Sequence, residues 1–201
     1  MKGYESMSID ISSLVQKAFL SRRKALSPKV AHAYHEDFKR ADRLMIVLIL
    51  IHWGIASTIN AVQYGTYNLG FIGGAFLTIF AMIPSMIMPG SVLSRSMIGA
   101  AFMGFSALFI QQQMGLIEMH FHIFLALALL VRYKDPIPLL TGTVVIITHH
   151  IVFNHYQQTG VEILGVPLRA FESFNGSSLH TGVNIVVLHI NFIILEALSL
   201  S

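Results

Sequence analysis

Six histidines lie within or at the edges of strongly apolar stretches of this sequence, where their imidazoles could bind a metal ion or a cofactor. The chain has ten histidines in all, and these six are His52, His120, His122, His149, His150 and His189. Ionisable side chains at membrane depth are energetically expensive unless they are paired or functional. The number of histidines in apolar sequence therefore requires an explanation.

Four of these histidines are predicted to lie at a similar depth in the membrane. They are His120, His122, His150 and His189. At about 1.5 Å per helical residue, they lie roughly 5 to 13 Å from the outer membrane surface. Glu118 is four residues before His122 and shares its helix face, whereas His120 points in nearly the opposite direction.

The leading candidate ligand group combines one carboxylate with three imidazoles from three helices, namely Glu118, His122, His150 and His189. His120 and His149 are further candidates, because the sequence does not fix how each helix is rotated about its axis. Such ligands suit copper, zinc or iron, and two imidazoles that face each other across a bundle would suit haem b. Interhelical hydrogen bonding of the histidines is the alternative interpretation. Thiolate ligands and Cys nucleophiles are excluded because the chain has no cysteine.

The helices that must position these side chains are predicted from six apolar segments. Hydrophobic residues make up 54% of the 201 residues and charged residues 11%, a composition typical of a membrane protein. With their flanks, the segments reach the roughly 20 residues that a membrane crossing requires. They are Leu44–Val62, Leu69–Met88, Met97–Ile110, Ile117–Val131, Ile137–Phe153 and Gly182–Leu200. The sequence predicts an all-α integral membrane bundle of about six transmembrane helices.

Basic residues are concentrated near the start of the chain. Nine of the thirteen Lys and Arg residues lie at or before Arg43. Residues 1–41 are predicted to form a cytoplasmic, basic, amphipathic segment that contacts anionic membrane lipid, or else a solvated segment that only sets orientation. Residues 42–201 form the predicted transmembrane domain. By the positive-inside rule, both termini are expected to be cytoplasmic.

Other residues are expected to have structural roles. The connection Gln157–Ser178 is predicted to be a linker between two helices rather than a cap over a site. Small residues should let helices approach closely; these are Gly70, Gly73, Gly74, Gly99 and Gly104. The remaining histidines are expected to be solvated (His32 and His35), interfacial (His155 and His180) or an isolated core residue (His52).

Several motifs follow one another in the membrane part. Glu118-x-His120-x-His122 lies in the run Gly115–Phe124 and is followed by Arg132-Tyr133-Lys134-Asp135, by His149-His150 and by His189. Together with Asp42-Arg43-Leu44 and His52-Trp53, this series resembles the membrane sensory region of bacterial chemoreceptors, diguanylate cyclases and hybrid histidine kinases. The resemblance covers Ala41–Ser201, and the family's motif positions match Glu118, His120, His122, His150 and His189.

The resemblance implies a signal-input module in the bacterial inner membrane. In the family a cytoplasmic output domain follows the last span, so this chain, which ends at Ser201, is expected to be a fragment or a stand-alone module. We expect a sensory domain that binds a metal ion or haem, has no catalytic domain of its own, signals to a cytoplasmic output domain or partner, forms a homodimer and binds no nucleic acid.

Two other classes of function compete with this hypothesis. The same histidines could serve a membrane redox protein or haem electron carrier, which would be reduced reversibly by a quinol. A proton-coupled transporter could instead use Glu118 and Glu196 as proton relays. A transporter usually has inverted repeats or broken helices, and Pro84 could break the second span.

Overall fold

The computed structural model describes residues 27–157, 159–172 and 179–200. Within the last helix it describes the backbone throughout, but side chains only at residue 187 and residues 190–200. The chain divides into two units, Met1–Glu36 and Asp37–Ser201, and the sites discussed below all lie in the second unit. Most of the predicted amphipathic segment lies outside the described residues.

The described part of the chain contains six α-helices, which confirms the all-α prediction. Their bounds are α1 Pro28–Ser57, α2 Gly74–Ile87, α3 Val92–Gln112, α4 Ile117–Leu130, α5 Pro136–Gln157 and α6 Leu179–Leu200. Short 3-10 turns at Ile59–Ala61 and Val131–Tyr133 follow α1 and α4, and a π-helical turn at Leu69–Gly73 leads into α2. After α5, strands β1 Glu162–Ile163 and β2 Val166–Pro167 pair as an antiparallel hairpin.

Four helical segments are long and apolar enough to cross a membrane. They are Pro28–Ala61, Leu69–Ile87, Val92–Gln112 and Pro136–Gln157. Helix α4 has 14 residues, and at about 1.5 Å per residue it is shorter than the roughly 30 Å core of a bilayer. In α6, Ile190–Leu200 is a shorter apolar stretch. The composition is thus that of a membrane-associated protein, and the count of six crossings stays a prediction.

Helix α3 lies at the centre of the bundle and packs against α2, α4 and α5. Small residues allow this close packing, as predicted. A Cβ atom at Gly99 would run into the backbone of Pro138 on α5, and one at Gly104 would run into the side chain of Leu77 on α2. Because van der Waals contact is the main attraction between helices in lipid, these glycines stabilise the bundle by bringing backbones together.

Helix α2 continues through Pro84 to Ile87. The break that Pro84 could have produced is therefore absent from α2. A proline removes one backbone hydrogen bond, and a transmembrane helix can tolerate that loss when other groups satisfy the freed carbonyl. The large apolar side chains Phe76, Ile83 and Met86 of α2 are exposed, as is expected for a surface that faces lipid.

A buried polar layer joins the end of α3 to the last turn of α1 and the chain that follows it. The amide nitrogen of Gln112 donates to the carbonyl oxygen of Ala56 at 2.8 Å, and its amide oxygen accepts from Asn60 at 3.0 Å. The amide nitrogen of Gln113 donates to the backbone oxygen of Asn60 at 2.6 Å. These contacts satisfy carbonyl groups that the end of a helix would otherwise leave unpaired.

Candidate histidine site

His52 and His122 form a hydrogen-bonded pair between α1 and α4. Their Nε2 atoms lie 2.9 Å apart, and the Nδ1 of His52 lies 2.6 Å from the carbonyl oxygen of Leu48. On the other side of the pair, the Nδ1 of His122 lies 2.8 Å from the Oγ of Ser106 on α3. One continuous chain of hydrogen bonds therefore connects three helices.

The donors and acceptors in this chain follow from the chemistry of its ends. Because a carbonyl oxygen only accepts, His52 donates from Nδ1 to Leu48, and the Nε2 of neutral His52 is an acceptor. His122 then donates from Nε2, and its Nδ1 accepts from the hydroxyl of Ser106. The Oγ of Ser106 is farther, at 3.2 Å, from the carbonyl oxygen of Phe102. Both nitrogens of His122 are thus occupied.

Aromatic side chains of α3 surround the pair. The ring of His52 lies parallel to that of Phe109, with centroids 5.9 Å apart, and meets the edge of Phe102 at 5.4 Å. Phe109 also contacts His122, with centroids 4.8 Å apart. The expectation that His52 is an isolated core residue is wrong, because it has a specific partner on α4.

A second group, between α4 and α5, contains His120, His149 and His150. The ring centroids of His120 and His150 are 5.4 Å apart, and those of His149 and His150 are 5.2 Å apart. The Nδ1 of His120 lies 3.1 Å from the carbonyl oxygen of Leu116, and the Nδ1 of His150 lies 2.9 Å from that of Ile146. Both rings therefore donate from Nδ1 and carry the lone pair on Nε2, as metal-binding histidines commonly do.

His149 differs from its two neighbours in its hydrogen bonding. The residue is 7% exposed, and neither ring nitrogen has a hydrogen-bond partner among the side chains and backbone that the structure describes. Its ring packs against Phe153, with centroids 4.2 Å apart. Leaving a buried polar group unsatisfied costs about 1–3 kcal/mol. Such a group in a native protein calls for a specific explanation, for example a bound ion.

Phe171, in the connection after α5, covers this second group. Its ring lies parallel to that of His120 with centroids 5.2 Å apart, and it contacts His150 at 5.4 Å. Gly115, with φ of +83°, makes the approach possible, because a Cβ there would meet the backbone of Phe171. The prediction of a simple linker is therefore wrong for the described part of this connection, which forms a cap over the histidine group.

Two glutamines fasten the cap to the helices. The amide oxygen of Gln157 accepts from the backbone nitrogens of Ala170 and Phe171 at 2.8 and 3.1 Å, and its amide nitrogen donates to the oxygen of Phe171 at 2.9 Å. Gln111 on α3 accepts from the backbone nitrogen of Arg169 at 2.9 Å. Because backbone groups at both ends of residues 169–171 are bonded, the position of the Phe171 ring is well defined.

At the other end of the bundle, Asp42 of α1 is the centre of a buried polar network. Its carboxylate accepts from the backbone nitrogen of Gly90 and the hydroxyl of Ser94, both at 2.6 Å, and from the hydroxyl of Tyr133 at 2.7 Å. Burial, followed by the negative charge of Asp42, raises the pKa of Tyr133, so its hydroxyl stays protonated. Three donors thus compensate the buried carboxylate.

Ion pairs extend this network. The guanidinium of buried Arg95 lies 2.6 Å from the carboxylate of Asp135 and 3.8 Å from the ring centroid of Phe38. Asp135 also caps α5 by accepting from the backbone nitrogen of Ile137 at 3.1 Å. Asp42 and Asp135 were named only among the motifs that carry the family resemblance, and this network was not predicted from the sequence.

The predicted ligand residues are separated by the structure. Glu118 is exposed on α4, and His122 bonds to His52 and Ser106 instead of joining His150. The prediction that Glu118 and His122 join His150 in one ligand group is therefore wrong. The helix rotation places His120, on the opposite face from His122, next to His150.

The remaining histidines have varied outcomes. His32 and His35 are exposed, which agrees with the expectation that they are solvated; His155 is also exposed, and its expected interfacial position stays a prediction. The side chains of His180 and His189 lie outside the described part of the structure, so the role of His189 stays a prediction. Among the residues that are described, no group of three or more His, Asp or Glu side chains has metal-holding geometry.

Comparisons with known proteins give no relative on which a function could be based. No protein-family model, curated protein or solved structure matches this chain.

Proposed function

We propose that this chain is a transmembrane signal-input domain that binds a transition-metal ion through its second histidine group. The ligands are His120, His149 and His150, together with His189 of α6, which packs against both α4 and α5. The observation that carries the proposal is His149, a buried imidazole with no hydrogen-bond partner in the described part of the chain. It lies beside His150, whose Nδ1 contact with its own helix turns Nε2 into the ligand atom.

Each neighbouring pair of rings has a spacing compatible with a shared ion, although no described group of three already has metal-holding geometry, so binding would require the side chains to turn toward the ion. Two imidazoles that bind a tetrahedral metal at about 2.0–2.1 Å have ring centroids roughly 5 Å apart, and the observed separations are 5.4 and 5.2 Å. Axial ligands on opposite faces of a haem need centroids more than roughly 6 Å apart. The rings of His120 and His150 also meet edge to face, at 65°. This packing favours a metal ion over haem b.

Imidazole ligands suit zinc, copper and iron. Bound copper or iron would supply a change of oxidation state, and zinc would supply a site for an exchangeable ligand. The residues of the chain would orient the ligand imidazoles and keep water out, since Phe171 covers His120. A signal arises if occupancy or oxidation state biases the bundle between two helix arrangements.

Membrane topology is part of the proposal. We place six crossings in the inner membrane of a bacterium, with both termini in the cytoplasm and the histidines in the outer half. The basic residues Arg95, Arg132 and Lys134 at one end, against Arg169 at the other, support this orientation. The output would be a cytoplasmic domain or partner, reached through a homodimer of this chain.

Elemental analysis of the detergent-purified protein, together with its absorption spectrum, tests the proposal. We expect close to one copper, zinc or iron per chain with no Soret band, and loss of that metal in His149→Ala and His150→Ala. His155→Ala is the matched control, since His155 lies on the same helix but is exposed. Equal metal content in all three variants, or a Soret band with iron, would overturn the proposed site.

A further inference from the structure

The hydrogen-bonded pair of His52 and His122 supplies no ligand to the proposed metal site, yet every ring nitrogen of the pair is hydrogen-bonded. Each ring nitrogen of the pair has one partner at 2.6 to 2.9 Å. His52 is 8% exposed and Ser106 is fully buried. Fully satisfied polar networks rigidify the elements that carry them. The pair is therefore suited to hold helices in place rather than to bind a ligand.

Helix α4 connects the pair to the metal site. His120 and His122 are two residues apart, which places them about 200° apart around the helix axis. His122 is held by α1 and α3, while His120 contacts His150 of α5. Because both side chains extend from one rigid helix, a rotation that breaks the bonds of His122 also moves the His120 ring away from His150.

We propose that His52 and His122 are positioning residues for the metal ligand His120, because their hydrogen-bond chain sets the rotation of α4. The inference rests on the proposed function for the identity of the site, but the rotation of α4 can be measured without metal. Ser106 completes the chain, because its hydroxyl can donate to the Nδ1 of His122, whose acceptor role follows from the carbonyl of Leu48 at the other end of the chain.

Metal binding gives the first test. In His52→Phe and His122→Phe, Co²⁺ should bind roughly tenfold more weakly, the low end of the effect seen when groups that orient a metal-binding histidine are lost, and its visible absorption spectrum should change shape. His122→Gln, which keeps one donor and one acceptor, should restore affinity and spectrum. The control is Phe121→Leu, a change at an exposed neighbour on α4. Unchanged affinity and spectrum in both Phe variants would overturn the inference.

Cysteine labelling in metal-free protein gives the second test. The natural chain has no cysteine, so a single introduced thiol reports one position. Ile123 is suited to this test because it is fully buried on α4. In an Ile123→Cys background, adding His122→Phe should raise the rate of maleimide labelling roughly tenfold, while His122→Gln should not. An unchanged labelling rate would contradict the inference. Failure of the unaltered protein to bind Co²⁺ would contradict only the proposed function.

Discussion

Imidazoles on the same helix have different contacts, and these contacts decide what each can do. His122 uses one nitrogen to bond His52 and the other to bond Ser106. His120 uses Nδ1 for the carbonyl of its own helix and carries its lone pair on Nε2. A metal needs that lone pair, so His120 is suited to be a ligand and His122 is not.

Single hydrogen bonds are also expected to stabilise the end of the bundle that contains Asp42, which is proposed to face the cytoplasm. Tyr133→Phe removes the hydroxyl that donates to the buried carboxylate of Asp42. Hydrogen bonds to charged groups contribute about 1.5–3 kcal/mol, so the free energy of unfolding should fall by that order. Denaturant unfolding in detergent would measure the change. Tyr67→Phe, at an exposed tyrosine, is the control, and an equal effect of both substitutions would contradict this assignment.

The cap leads to a prediction about access to the proposed metal site. Phe171→Ala removes the ring that lies against His120, so water and reagents should reach the imidazole more easily. Diethyl pyrocarbonate, which modifies neutral imidazoles, should react several times faster with His120, as peptide mass spectrometry would show. Phe121→Ala serves as the comparison, since that exposed ring contacts Phe124. No change in the rate would mean that the connection does not shield the site.

At the scale of elements, backbone contact between α3 and α5 depends on Gly99. Gly99→Ala places a methyl group against the backbone of Pro138 and should destabilise the protein by about 1–3 kcal/mol. Gly54→Ala has open space around the new methyl group and should instead stabilise α1 by roughly 0.5–1 kcal/mol. Thermal unfolding of the two variants would compare them directly. Changes of the same sign would contradict the packing described for α3.

Helix positions could be predicted from the sequence because long apolar runs and their breaks follow from composition alone. The predicted starts at Leu69 and Ile117 coincide with the observed helical starts. Helix rotation could not be predicted in the same way. Residues two apart point in opposite directions whatever the rotation, so the sequence showed that His120 and His122 diverge without showing which one meets His150.

The cap and the Asp42 network were missed for a different reason. Both depend on contacts between segments distant in sequence, such as Gln111 with residue 169 and Asp42 with residue 133. The sequence did contain a signal for the network, because Asp42 and Arg95 are charged residues beside apolar spans and are expensive to bury unpaired. Each of these two charged side chains therefore requires a polar or oppositely charged partner in the bundle.

At the scale of the whole molecule, polar contacts occur at three levels of an otherwise apolar bundle. The layer around Gln112 lies at one end, the network of Asp42 at the other, and the histidines lie between them. The two ends have few unsatisfied groups in the described residues, which suits a structural role. His149, between them, has unsatisfied nitrogens and is the place where binding would relieve a cost.

The imidazoles of α4 and α5 are proposed to bind one metal ion, and X-ray absorption spectroscopy of the purified, metal-containing protein would detect them as ligands. We expect an inner shell of three or four nitrogen atoms at about 2.0–2.1 Å, with the outer scattering of imidazole rings, and loss of that shell in His149→Ala. An inner shell without imidazole scattering, or a spectrum unaffected by His149→Ala, would contradict the proposal.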